Sequence, residues 1–226
     1  MKKFAVIGLG NFGMNIARSL IENNCEVLGI DIDKNTVERG KDFLTYAITA
    51  NPASKAILQS VGITEYDAVI LSIGQEMVSS ILISLYLKEI GAKKIIARAI
   101  SDDHEKILMK LGVDTVIFPE KDMAARIGKA LSMKNAVDYL PLTEEYAIIE
   151  VTPPPSFIGK NLRELNIGAR YRCQILGIKN FADEFASDET PQKTIIAPPA
   201  DEIIKEGNIM IVLGKTTAIE RMEKLG

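Results

Sequence analysis

Residues 2–13 read Lys2-Lys3-Phe4-Ala5-Val6-Ile7-Gly8-Leu9-Gly10-Asn11-Phe12-Gly13, a GxGxxG pattern that Asp31 follows 18 residues after its last glycine. The apolar run 4–7 predicts a buried strand, and residues 11–23 carry apolar side chains at helical spacing. A second strand is predicted over 26–30, and Asp31 ends it. This order of strand, glycine turn, helix, strand and acid is typical of a dinucleotide-type binding site.

Each glycine of this pattern has a physical role. Gly8 permits a tight turn, Gly10 lets backbone N–H groups approach a phosphate, and Gly13 allows the helix and the strand to pack closely. The helix N-terminus supplies unpaired N–H donors and the positive end of the helix dipole. Asp31 can accept hydrogen bonds from ribose hydroxyls, and its charge argues against a 2′-phosphate and therefore against NADP. A tight turn that binds no ligand is the alternative.

The composition excludes several classes of protein. The 226 residues are 47% hydrophobic, enough for one large or two small domains, and no apolar run approaches the length of a transmembrane helix. A net charge of −3 gives no broad basic surface for nucleic acid. Cys25 and Cys173 stand far apart in apolar stretches, so we expect buried free thiols and a reducing cytosol.

The first half of the chain alternates apolar strand patterns with helical ones. This alternation predicts an α/β fold with a doubly wound, parallel, Rossmann-like sheet over residues 1–119. The predicted strands are 3–7, 26–30, 45–49, 67–72, 94–98 and 114–118, and the predicted helices are 11–23, 34–41, 53–60, 76–90 and 102–110.

The pattern changes after this point. Residues 120–136 are predicted to form a helix and linker leading out of the first domain, and 137–226 a small α+β C-terminal lobe. Strands are predicted at 146–152, 173–179, 193–197 and 208–213, with helices at 161–165 and 215–224. The acidic stretch 182–192 predicts a hairpin loop.

Ligands of open parallel sheets bind outside the carboxyl ends of the strands, so the residues that follow each strand are candidates for binding. We expect ribose on Asp31, adenine near Asn51 and Ile73, and phosphates near the glycine turn and Arg98. Two simpler alternatives are a surface Arg98 paired with Asp102 or Asp103, and an Ile73 that only packs in the core. The complete candidate set is Gly8, Leu9, Gly10, Asn11, Phe12, Gly13, Asp31, Ile32, Asp33, Ala50, Asn51, Ile73, Gly74 and Arg98.

Glu120 is a candidate metal ligand beside these residues. An acid near phosphates is repelled unless a cation lies between them, so Glu120 could hold Mg²⁺ or Ca²⁺ against phosphate oxygens. The alternative is an acid in the first turn of a helix, where the helix dipole favours negative charge.

The sequence offers no set of catalytic residues. Its single histidine, His104, stands among acids at a predicted helix start, where we expect it to be exposed. Neither a Ser/His/Asp nor a Cys/His arrangement can be assembled, and the GxxxxGK[ST] pattern is absent. A nucleotide site without catalytic groups favours a sensor over an enzyme, with an NAD-dependent oxidoreductase or a redox sensor acting on another partner as alternatives.

A predicted helix over 77–90 is apolar on nearly every face. One face can cover the sheet, and the remainder would contact water unless a second subunit covered it. An oligomer interface and a helix buried within one domain are the two interpretations.

Several motifs in a fixed order resemble the Trk/Ktr potassium-uptake regulators, a family of RCK (KTN) domains with N-terminal and C-terminal lobes. The resemblance covers nearly the whole chain. In the first half it rests on Gly8–Gly13, Ile30-Asp31, Ala50-Asn51, Ile73-Gly74 and 118–123; in the second half it rests on 158–165, 175–179, 198–204 and 212–214.

The resemblance implies a cytoplasmic regulatory subunit, peripheral to the inner face of the cell membrane, that gates a separate membrane potassium transporter. It implies dimers that assemble into an octameric ring, binding of ATP, ADP, AMP or NAD(H), and a cation at Glu120. Some members bind cyclic di-AMP in the C-terminal lobe, here in 161–180 with Pro198 and Pro199.

Two features depart from the family pattern. Asn11 stands where Ktr-like members often carry an arginine positioned for a terminal phosphate. An uncharged amide weakens discrimination for the γ-phosphate, which shifts our expectation towards AMP, ADP or NAD(H). The acidic stretch 182–192 is also longer than the family loop.

Overall fold

The computed structural model describes residues 1–74, 76–180 and 194–223. The chain divides into two compact units, Met1–Pro119 and Glu120–Gly226. The acidic stretch 182–192 lies outside the described residues. Among the described residues, no helix is both long enough and apolar enough to cross a membrane.

The first unit contains a six-stranded sheet in the order β3-β2-β1-β4-β5-β6, with every neighbouring pair parallel. The order reverses beside β1, which creates the crevice where ligands of such sheets bind. This topology confirms the predicted doubly wound sheet. The strands are β1 (Lys3–Ile7), β2 (Glu26–Asp31), β3 (Tyr46–Thr49), β4 (Ala68–Leu71), β5 (Ile95–Arg98) and β6 (Thr115–Ile117).

Five helices connect these strands, close to the predicted positions. The third begins at Lys55 after its N-cap residue Ser54, two residues later than the predicted start at 53. The helices are α1 (Asn11–Glu22), α2 (Lys34–Lys41), α3 (Lys55–Ser60), α4 (Met77–Ile90) and α5 (Asp102–Lys110).

Apolar side chains cover both faces of this sheet, as expected when helices lie on both sides. On one face Val6 packs with residues of α1 and α2, including Ala17 and Val37. On the other face Ile7 packs with residues of α4 and α5, including Ile83 and Leu108. Alternation along β1 therefore sends neighbouring side chains into two separate cores.

The second unit contains a five-stranded antiparallel sheet in the order β10-β9-β11-β8-β7. The strand Ala136–Pro141 was not predicted, because it is a half-exposed edge strand whose sequence has only a weak apolar pattern. The strands are β7 (Ala136–Pro141), β8 (Tyr146–Val151), β9 (Gln174–Asn180), β10 (Thr194–Ile196) and β11 (Asn208–Lys215).

Four helices accompany this sheet in the part of the chain that the structure describes. Its core joins the inward side chains of β8 and β11 to those of the short helices, including Ile149, Val212, Leu165 and Ile219. The five-residue helix α8 was not predicted. The helices are α6 (Pro119–Ser132), α7 (Leu162–Leu165), α8 (Ile167–Tyr171) and α9 (Thr216–Glu223).

Candidate nucleotide site

The glycine turn between β1 and α1 has the shape that its sequence predicts. Gly8 has a φ of +90°, which glycine adopts without strain, and its N–H donates to the carbonyl of Ile30 over 2.8 Å. A Cβ atom on Gly13 would lie 1.9 Å from the carbonyl oxygen of Gly8, so no side chain fits there. A Cβ on Gly10 would meet no atom within 4 Å. Gly10 therefore leaves an open cradle at the N-terminus of α1.

Asp31 connects this turn to the end of β2. One carboxylate oxygen accepts the N–H of Leu9 over 2.7 Å, and the other accepts the N–H of Asp33 over 2.9 Å. Ile32 lies between Asp31 and Asp33 in the sequence, and its side chain is 67% exposed. The acid and an uncovered apolar side chain are thus adjacent, as a ribose and an adjoining base would require.

Asp33 has a structural role that the sequence analysis did not assign. It is the N-cap residue of α2 and accepts hydrogen bonds from the N–H groups of Asn35 and Thr36 and from the Thr36 hydroxyl. The hydroxyl bond, followed by the backbone bond from Thr36, lowers the pKa of the Asp33 carboxyl. This carboxylate therefore fixes the start of α2 beside the candidate ribose position.

The candidates after β3 and β4 have mixed surroundings. Asn51 is exposed, and its side-chain oxygen accepts the N–H of Ala53 over 3.0 Å. Ala50 and Ile73 are half-buried and pack against the apolar core. Ile73 therefore contributes to core packing, which is the simpler of its two interpretations. Gly74 comes close to Arg98, because a Cβ on it would lie 2.7 Å from one guanidinium nitrogen.

Arg98 extends from the end of β5 towards the glycine turn. Its guanidinium carbon lies 5.5 Å from the centre of the Phe12 ring, close enough for a cation–π contact. The side chain of Asp103, one of its two suggested partners, bonds to Lys106 over 3.1 Å. The fold thus brings a positive charge near the turn where phosphates were expected.

Ser72 was passed over as a candidate, although it directly follows β4. Its hydroxyl oxygen is buried and makes no hydrogen bond within the described ranges. That oxygen would lie 3.2 Å from a Cβ on Gly13. A small polar residue at the carboxyl end of a strand was the sequence signal that could have identified it.

The expectation of an exposed His104 was wrong. The side chain is fully buried, because its position in the first turn of α5 faces inward. Its Nδ1 accepts the N–H of Ile100 over 3.3 Å, and its Nε2 has no hydrogen-bond partner among the described residues. Desolvation lowers the pKa of the imidazole. His104 is thus a buried core residue and not the exposed helix-start residue that was expected.

The cysteine expectation was half right. Cys173 is buried, and desolvation raises the pKa of its thiol, whereas Cys25 is only half-buried. Both are free thiols.

Glu120 belongs to the second unit and lies in the first turn of α6, which also contains Asp122. No cluster of three or more His, Cys, Asp or Glu side chains in the described part of the chain could hold a metal ion by itself. A cation at Glu120 would therefore need oxygen ligands from another source, such as a bound phosphate.

Comparisons with known proteins agree with this organisation. The TrkA-N domain family matches residues 4–119, and the TrkA-C domain family matches residues 146–225. The chain is 37% identical to Ktr system potassium uptake protein C of Bacillus subtilis (strain 168), over 99% of this chain and 96% of that protein. It is 36% identical to Ktr system potassium uptake protein A of the same strain, over 100% of this chain and 97% of that protein.

A solved structure shares the fold over nearly the whole chain. It is described as the GsuK channel bound to NAD, and it aligns with a TM-score of 0.68 and 14% sequence identity. The alignment covers 99% of this chain and 39% of that longer one. At this identity the likeness concerns the fold alone.

Proposed function

Because this chain belongs to the TrkA-N and TrkA-C family of potassium-uptake proteins, we propose that it is a nucleotide-binding regulatory subunit that gates a potassium transporter. The observation that carries the proposal is the end-to-end match to the two Ktr proteins, which includes both units. The transporter itself would be a separate integral-membrane subunit. We place the regulator in the cytoplasm, at the inner face of the membrane.

The glycine-rich edge of the first unit supports an adenine nucleotide as the ligand. The cradle at Gly10 and the N–H groups of α1 suit phosphate, and Arg98 adds positive charge. In this proposal Asp31 accepts hydrogen bonds from the ribose hydroxyls, and the exposed Ile32 beside it supports the base. Ligands without a γ-phosphate, namely AMP, ADP or NAD(H), suit the uncharged Asn11 better than ATP does.

We also propose a role for Glu120. If a divalent cation accompanies the nucleotide, the carboxylate of Glu120 would supply one oxygen ligand, and phosphate oxygens would supply others. Mg²⁺ and Ca²⁺ both prefer such oxygen ligands. The competing interpretation is that Glu120 only stabilises the start of α6 through the helix dipole.

Two exposed apolar surfaces support self-association. On α4, Val78 is 79% exposed, and on α6 an apolar stripe consists of Met123, Ile127 and Leu131 at i, i+4 and i+8. Apolar side chains in such rows are usually covered by a partner. Dimers formed through these surfaces would assemble into an octameric ring, and cyclic di-AMP would bind the second unit in 161–180 with Pro198 and Pro199.

We propose that this protein has no catalytic activity of its own. Its single histidine is buried and already accepts a hydrogen bond. A regulator needs only that its ligand binds two conformations with different affinity. Hydride transfer to a small substrate would require a proton-transfer residue at the glycine-rich edge.

The decisive experiment combines binding with transport. The full chain is titrated calorimetrically with AMP, ADP, ATP, NAD⁺ and NADH, with and without Mg²⁺ or Ca²⁺. Potassium uptake is then measured in transport-deficient cells that also express a Ktr membrane subunit. The variant Gly10→Val fills the open cradle, and Gly128→Val is its matched control, since a Cβ at either position meets no atom within 4 Å.

We expect Gly10→Val to abolish nucleotide binding and the regulation of uptake, and Gly128→Val to preserve both. A wild-type chain that leaves potassium uptake unchanged would overturn the proposed function. Oxidation of a substrate by bound NAD⁺ would favour the oxidoreductase alternative.

A further inference from the structure

The second unit contains a cleft lined partly by residues 169–172, which lie within the stretch proposed for cyclic di-AMP, and partly by residues outside that stretch. Its volume is about 650 Å³, within the range of small-molecule pockets. It lies between the end of α8 and the junction of β11 with α9. Four of its eight lining residues are cationic and two are tyrosines; the six are Tyr146, Arg170, Tyr171, Arg172, Lys215 and Arg221.

Close packing holds the two sides of this cleft together. A Cβ on Gly214 would lie 2.7 Å from the sulfur of Cys173, so the chain after α8 packs directly against the end of β11. The ring of Tyr171 is supported from within by Phe157, with 6.4 Å between ring centroids. The remaining lining residues, Ala169 and Ala218, are small and leave the space open.

The charge of the cleft is mostly uncompensated. Lys215 bonds to Glu145 over 2.6 Å, and the Nε of Arg221 donates to the carbonyl of Thr217 over 3.2 Å. Arg170 and Arg172 make no ion pair with any acidic side chain in residues 1–74, 76–180 and 194–223. Like charges repel one another in a confined space, so this arrangement favours a bound anion.

The backbone of Arg172 positions its side chain at the edge of the cleft. It ends α8 with a φ of +55°, in the left-handed region that favours glycine. Many helices end with a residue in this conformation, so it is the termination of α8 that fixes the backbone here. Here a strained position carries a cationic side chain that lines the cleft.

We propose that this cleft binds the phosphate groups of a multiply charged anion, at a site separate from the glycine-rich edge of the first unit. Arginine forks bind phosphate oxygens in pairs, and the tyrosine hydroxyls add further donors. Free metabolites and lipid headgroups both carry phosphate groups, so either could be bound by these arginine and tyrosine donors. Lys215 and Arg221 also lie outside 161–180, the stretch considered for cyclic di-AMP.

The test measures calorimetric binding of inorganic tripolyphosphate to the full chain. The Gly10→Val background removes the contribution of the first unit. In that background Arg172→Gly deletes a charge and relieves the backbone strain, so folding is preserved, and Arg221→Gln deletes a second charge. Lys160→Gln is the matched control, because Lys160 is an exposed cation of the same unit that does not line the cleft.

We expect Arg172→Gly and Arg221→Gln each to weaken binding about tenfold or more, and Lys160→Gln to leave it within about twofold. A parallel flotation assay uses phosphatidylcholine vesicles with and without phosphatidic acid. Arginine-dependent binding of tripolyphosphate alone identifies a free phosphate compound as the ligand class, and arginine-dependent binding of acidic vesicles alone identifies a headgroup.

Three results would overturn the proposal. The first is that neither tripolyphosphate nor acidic vesicles bind. The second is an equal loss of binding in Lys160→Gln, which would indicate diffuse attraction to surface charge. The third is displacement of tripolyphosphate by cyclic di-AMP, because the cleft would then not be a separate site.

Discussion

The carboxylate of Asp31 accepts a hydrogen bond from the backbone N–H of Leu9, with 2.7 Å between Oδ2 and N. The end of β2 is thereby connected to the glycine turn that follows β1. The side chain expected to bind ribose therefore also holds the loop expected to bind phosphate. Changes at this residue should affect both stability and ligand binding.

The first prediction concerns this dual role. Asp31→Asn replaces one acceptor oxygen with an NH₂ group. The side chain can then no longer accept hydrogen bonds from the N–H groups of both Leu9 and Asp33. We expect a loss of about 1–3 kcal/mol in the free energy of unfolding, together with weaker nucleotide binding. Urea denaturation and calorimetry measure the two effects. Asp42→Asn, at an exposed acid with no described side-chain bond, should change neither, and equal behaviour of the two variants would contradict the prediction.

The second prediction separates folding from binding within one turn. Gly13→Ala places a Cβ 1.9 Å from the Gly8 carbonyl oxygen, so we expect a destabilisation of about 3 kcal/mol. Gly10→Ala meets no atom within 4 Å, and we expect its unfolding free energy to stay within about 1 kcal/mol of wild type while nucleotide affinity falls. Thermal unfolding with and without ligand tests both. A stable Gly13→Ala protein would show that the turn is placed incorrectly.

The third prediction concerns the charge of Arg98. Arg98→Gln should weaken nucleotide binding about tenfold, because it removes a cation near the expected phosphates. The loss should shrink at high salt, where such attraction is screened. Arg18→Gln is the matched control: Arg18 lies 4.2 Å from the Phe43 ring centre on the exposed side of α1, and its loss should not affect affinity. Similar losses for both variants would refute a specific role.

The fourth prediction uses His104, the single histidine of the chain. Its pKa is lowered in the folded state by desolvation, so the unfolded chain binds a proton at higher pH than the folded one does. Its contribution to stability is complete above the unfolded value of about 6.5, and it is lost as pH falls towards the lowered folded value.

Denaturation between pH 7.5 and pH 5 measures this effect, and the wild type should become less stable as the pH falls. His104→Asn keeps an acceptor for the Ile100 N–H but cannot titrate, so it should lose this component of the slope. Identical slopes for the two proteins would mean that His104 is not buried as described.

The fifth prediction concerns the apolar stripe of α6. Ile127→Glu places a charge between Met123 and Leu131, so a dimer formed through this stripe should dissociate. Ala125→Glu adds the same charge on the opposite side of the helix and should leave the association unchanged. Sedimentation velocity measures the oligomeric state. If Ile127→Glu sediments as the wild type does, the stripe is not an interface.

Local sequence signals were sufficient for most of the first unit. The strand at Ala68–Leu71 is buried at every residue, and such continuous apolar runs are visible without a structure. Ala136–Pro141 escaped prediction because an edge strand is stabilised by pairing with its neighbour, and only weakly by its own apolar pattern. His104 was misplaced because neighbouring acids do not reveal which face of a helix turns inward.

The sequence by itself determined the parallel fold and the glycine turn, because the strand and helix patterns and the Gly8 and Gly13 positions act through local backbone geometry. Only the tertiary structure decided which distant side chains meet. Arg98 comes beside Gly74 and Phe12 because parallel strands bring their carboxyl ends to one edge of the sheet. Arg172 and Arg221 line one cleft because β11 packs against the end of α8. Long-range packing sets such pairs, and no local pattern encodes them.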